Sequence, residues 1–107
     1  MTLRLALHTR VQFRSVRYED LPGAELVLPG IEDLRHGVES VAALIVAIGR
    51  PRLSQLGLDL PPDSFHHPEH RLYDLLAAEH GDAAHSRYNA LIRRLVSFER
   101  AAACVGR

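Results

Sequence analysis

The sequence predicts a small all-α fold, and three observations carry that prediction. Residues 41–48 read VAALIVAI, an octapeptide with no polar side chain, placed between Ser40 and Gly49. Toward the C-terminus, Ala84, Tyr88, Leu91, Leu95, Phe98 and Ala102 follow one another at intervals of 4-3-4-3-4, the seam of a helix that packs on helices. A helical segment before Gly81 and another after Asp82 are joined by a short link that favours an antiparallel hairpin. The expected architecture is a single domain, residues 1–107, with four to six helices wrapped around residues 41–48 and a helical hairpin at the C-terminal end.

The central octapeptide is read as helix because Ser40 offers an N-cap hydroxyl and Gly49 a left-handed C-cap. Its valines and isoleucines favour strand, but no other stretch except the N-terminus offers a β-rich partner. A helix apolar on all sides has to be buried.

In chain order, residues 3–13 (LRLALHTRVQF) place Leu3, Leu5, Leu7, Val11 and Phe13 on odd positions, the period of a strand with arginines on its outer face. Leu3, Leu7, Val11 and Tyr18 also share a helical stripe, so helix and strand both stand here. A strand would have to pair with a second copy or with residues 25–28. Residues 19–30 read as a connector, since Pro22-Gly23 and Pro29-Gly30 are turn dipeptides. Residues 31–36 form a short helix ended by Gly37; the alternative is one helix running through to Ile48, because Ile31, Leu34, Val38, Val41 and Ile45 keep a three-four spacing.

Pro51 suits the first turn of a further short helix, 51–56, closed by Gly57. Residues 58–68 form a loop interrupted by Pro61-Pro62. Pro68 or Glu69 opens a helix to about His80, with Leu72, Tyr73, Leu75 and Leu76 inward. Asp82 caps the last helix, which reaches about Cys104 and carries Glu99 inside its apolar sector.

The 47% hydrophobic fraction belongs to a folded chain, and no window reaches the ~18 apolar residues of a membrane helix. Arg4 and His8 interrupt the apolar start, which argues against a signal peptide. One cysteine, Cys104, leaves no internal disulfide and fits a reducing bacterial cytoplasm. All thirteen basic residues are arginine. Formal net charge is zero, yet residues 1–18 hold four arginines and no acid, residues 19–80 four arginines against eleven acids, and residues 81–107 five arginines against two. Basic ends around an acidic middle suit pairing within or between subunits as well as they suit phosphates.

Chemistry-bearing patterns are sparse. His66, His67, Glu69 and His70 are metal-ligand types, with His67 and His70 at i,i+3, but no HExxH or cysteine pair accompanies them, and a solvated loop ahead of a helix is the plainer reading. His85, Asn89 and Arg93 form a band at i, i+4, i+8 beside Arg87, Arg94 and Arg100; the order does not match the arginine-then-histidine motif of small helical ribonucleases. Residues 40–58 superficially resemble a helix-turn-helix with Arg50 and Arg52 opening the second helix, joined by Arg93 and Arg94 as further contacts to nucleic acid. That second helix is short, begins with proline and sits in acidic surroundings, so nucleic acid is not the favoured partner.

No serine lies in a nucleophile elbow and no glycine loop cradles a phosphate. The function expected is a non-enzymatic interaction or regulatory module without cofactor. It forms a homodimer, or binds another protein, through His85, Asn89, Ile92 and Val96, where the last helix shows more apolar surface than one neighbour covers. Metal binding at residues 66–70 and nucleic-acid binding at Arg50, Arg52, Arg93 and Arg94 are the alternatives.

Overall fold

The computed structural model describes residues 17–62 and 65–105. The expected strand or helix over residues 3–13 lies outside them. Four α-helices make up the described fold: α1 (Ala24–Arg35), α2 (Val41–Gln55), α3 (Pro68–His80) and α4 (Ala84–Val105), with single 3-10 turns at Tyr18–Asp20 and Gly81–Ala83. No strand occurs among the described residues. The fold is all-α.

Helix α2 is the core element. Ala43, Leu44, Ile45, Val46 and Ala47 are buried, and α1, α3 and α4 all pack against it. Its start is the one predicted: the Ser40 hydroxyl accepts a hydrogen bond from the Ala43 amide at 3.0 Å. The same hydroxyl donates to the Asp33 carboxylate at 2.7 Å, tying the end of α1 to the beginning of α2. The two helices are separate, because Gly37 adopts φ +70° and leads into the non-helical Val38–Ser40 link. Val38, which the continuous-helix alternative would have put on the apolar stripe, is 47% exposed.

Two expectations are overturned, both at proline-glycine neighbours. Residues 24–30 are not a connector but the first half of α1, with Pro29 inside the helix. Buried Leu26, Val27, Gly30, Ile31 and Leu34 recur with the helical period, while Pro29 points to solvent. An interior proline costs about 3 kcal/mol. Each large apolar side chain buried returns about 1.5–3 kcal/mol, so four of them outweigh the break. Gly30 is there because α1 crosses α2 closely: a Cβ would collide with the Ala42 carbonyl.

The second correction is at residues 49–51. Gly49 does not end the helix; α2 continues through exposed Pro51 to Gln55, and the separate helix expected at 51–56 is its last turns. Gly49 is buried beneath Leu95 of α4, whose Cδ1 stands 2.9 Å from where a Cβ would be. Continuing the helix carries Leu53 into full burial, one turn beyond Gly49. In both helices the glycine makes room for a neighbour and the proline faces water.

The C-terminal hairpin forms as expected. Helix α3 ends on Gly81, at φ +54°, and buries Leu72 and Leu76. Tyr73, expected inward, is 39% exposed and lies instead against Tyr88 of α4, ring centroids 5.9 Å apart. Asp82 sits inside the 3-10 turn, and α4 begins two residues later at Ala84. Along the α4 seam Ala84, Leu95, Phe98 and Ala102 are buried, and Tyr88 and Leu91 are half-buried.

Candidate functional site

Helix α4 touches all three other helices, and the two flanks beside its buried seam differ in chemistry. One flank carries the residues singled out as an interface. His85 and Asn89 are exposed, with Asn89 Nδ2 3.3 Å from His85 Nε2. Ile92 and Val96 follow at one-turn intervals, both half-buried. Ile92 packs in part on the core, so the apolar surface left over is smaller than the sequence implied. Glu99 continues this flank. It is half-buried beside Gly49, and desolvation pushes its carboxyl above the usual range against a weaker pull from Arg52.

The other flank of α4 is basic and concave. A groove of about 550 Å³ opens between the end of α3, the start of α2 and the first half of α4. Val41, Leu76 and Leu91 give it an apolar floor; Glu79, His80, Ser86, Arg87 and Arg94 supply its polar rim. A second hollow of about 440 Å³ shares Ala90 and Arg94 with the first and continues past Arg93 and Ser97 to Pro22 and Gly23. Arg94 donates to the Glu25 carboxylate at 2.6 Å, which joins α4 to α1 and lowers the Glu25 carboxyl below its usual range. Arg87 and Arg93 form no hydrogen bond or ion pair with another described residue.

The nucleic-acid candidates do not form one free surface. The Arg50 guanidinium donates to the Pro61 carbonyl, holding the loop after α2, and Arg94 is engaged with Glu25. Arg52 is exposed on the last turns of α2, while Arg93 lies on α4. Because α2 is unbroken from Val41 to Gln55, the turn that a helix-turn-helix requires is not formed.

The histidine cluster is likewise dispersed. His66, His67, Glu69 and His70 are all exposed, and His70 faces Asp74 at 3.5 Å along α3. Among the described residues no group of three or more His, Cys, Asp or Glu side chains is arranged to hold a metal ion. His67 takes a left-handed backbone conformation, φ +51°, as the residue from which α3 starts.

The uneven charge seen in the sequence is used within the chain. Arg17, from the basic start, pairs with Glu19 and Asp20; Arg94, from the basic end, pairs with Glu25. Inside the acidic middle, Arg71 grips Glu39 with Nε and Nη2 on the two carboxylate oxygens and lowers the Glu39 carboxyl. Sequence reasoning missed the basic groove. Arg87, Ala90 and Arg94 at i, i+3, i+7 were its visible signal: two cations on one flank with a small residue between them.

The chain matches no family model, no curated protein and no solved structure. No helix among the described residues is long and apolar enough to cross a membrane.

Proposed function

We propose that the protein is a non-enzymatic interaction module that dimerises through the His85, Asn89, Ile92 and Val96 flank of α4. The supporting observation is the coverage of α4. The helix runs for 22 residues, yet only Ala84, Leu95, Phe98 and Ala102 are buried. Ile92 and Val96 lie half-covered beside that seam, at a 4-3-4 spacing with His85 and Asn89. A second α4 laid along this flank completes the burial of Ile92 and Val96, and the exposed His85–Asn89 pair then fixes register with polar contacts. Cys104 is a free, exposed thiol, which accords with a reducing, cytoplasmic setting.

Sedimentation velocity at tens of micromolar tests this reading. The wild type is expected to run as a dimer and Val96→Glu as a folded monomer with an unchanged helical circular-dichroism spectrum. A wild-type monomer at these concentrations contradicts dimerisation. The nucleic-acid reading draws less support, since two of its four arginines are already bound within the fold.

A further inference from the structure

The geometry points to a second binding surface: the basic trough on the opposite flank of α4 takes a short, extended acidic peptide. The two hollows share Ala90 and Arg94 in their linings, and the proposed peptide runs along α4 from one into the other. Between Ser86 and Ser97, eleven residues apart, the α4 wall of the trough spans about 16 Å at 1.5 Å per residue. That length suits five or so residues of extended chain, at about 3.1 Å each.

Charge complementarity names the occupant. Arg87 and Arg93 line the trough without a partner among the described residues, where Glu79 is the one acid in the lining and Glu25 is already taken up by Arg94. Arg87 and Arg93 are six residues apart, about 9 Å along the helix. A polyproline-II peptide repeats every three residues, about 9.3 Å. Two carboxylates at i and i+3 of such a peptide therefore fall on one side, one opposite Arg87 and the other opposite Arg93, since Arg94 is held by Glu25. An apolar side chain at the Arg87 end rests on Val41, Leu76 and Leu91. Small side chains at Ala90 and Ser97 let the peptide backbone approach the helix. Nucleic acid fits less well, because the floor is apolar and Glu79 stands at one end of the trough.

Fluorescence anisotropy at about 50 mM salt, where surface charges are weakly screened, tests the assignment. The probe is a labelled six-residue peptide with glutamate at its second and fifth positions, leucine at its third and alanine elsewhere. Saturable binding is expected, with loss of binding when both glutamates are glutamine. Arg87→Gln and Arg93→Gln, both at exposed positions, are each expected to weaken it roughly three- to fivefold, the scale of a surface ion pair. Ala90→Glu is expected to abolish binding.

Equal binding of the glutamate and glutamine peptides, no binding at all, or indifference to both arginine substitutions overturns the proposal. So does an oligothymidylate that binds more tightly than the peptide with the same dependence on Arg87 and Arg93. The trough does not depend on the dimer flank, so Val96→Glu is expected to bind the peptide as the wild type does. A monomeric wild type that still binds the peptide refutes dimerisation alone.

Discussion

Glu99 of α4 lies over Gly49 of the central helix, its Oε2 3.2 Å from the point where a Cβ on Gly49 would sit. The same point is 2.9 Å from Leu95 Cδ1 and 3.1 Å from Leu95 Cδ2. The notch at Gly49 is thus where α4 settles onto α2, and it brings a carboxylate down with the leucine.

Gly49→Ala is expected to destabilise the fold. In an open helix, alanine would gain about 1 kcal/mol over glycine. Here the added methyl has to displace Leu95 in a packed site, which costs about 1–3 kcal/mol. Urea unfolding checks the sign: a lower midpoint is expected, and a rise would show that Leu95 has room to move off Gly49.

Glu99 supplies a pH prediction. Its folded carboxyl titrates above the unfolded value, because desolvation outweighs the attraction of Arg52. The protonated form is therefore the one the fold favours. Its contribution is complete below the unfolded pKa, near the reference value of 4.5, and is lost as pH rises through the raised folded value. Glu99→Gln is expected to raise the thermal midpoint at pH 7 and to change it little at pH 4. Equal effects at the two pH values would contradict this.

Glu39 behaves in the opposite sense. The two-point grip of Arg71 lowers its carboxyl, so the stabilisation is present above the unfolded pKa and lost as pH falls through the lowered folded value. Arg71→Gln is expected to produce a small drop in midpoint at neutral pH, in keeping with an exposed pair. The gap between variant and wild type closes once Glu39 is protonated in both. A drop that persists in acid would place the role of Arg71 in packing rather than charge.

Much of this was legible in the chain, and the illegible part has a physical pattern. Ser40 and Gly81 act through local backbone geometry, so their roles can be read from neighbouring residues alone. Pro29-Gly30 and Gly49-Arg50-Pro51 spell turns locally and are helix in the fold. What decides them is Ala42 pressing on Gly30 and Leu95 on Gly49, contacts between segments that no window of sequence contains. The half-covered flank at Ile92 and Val96 follows from helical spacing and was visible. The trough was not, since it exists only once Val41, Leu76 and Arg87 come together from three helices. The charge asymmetry foretold pairing within or between subunits; that Glu25 would be the partner of Arg94, 69 residues away, required the fold.

The central claim is that α2 is one buried helix that runs unbroken past Pro51 and seats α4. Native-state hydrogen exchange tests it most directly. The amides from Leu44 to Leu53, Pro51 having none, are expected to exchange as a single cooperative unit and among the slowest in the protein. If Arg50, Arg52 and Leu53 instead exchange as fast as the loop from Gly57 to Leu60 while Leu44 to Ile48 stay protected, the helix breaks at Gly49 and the seating of α4 described here is contradicted.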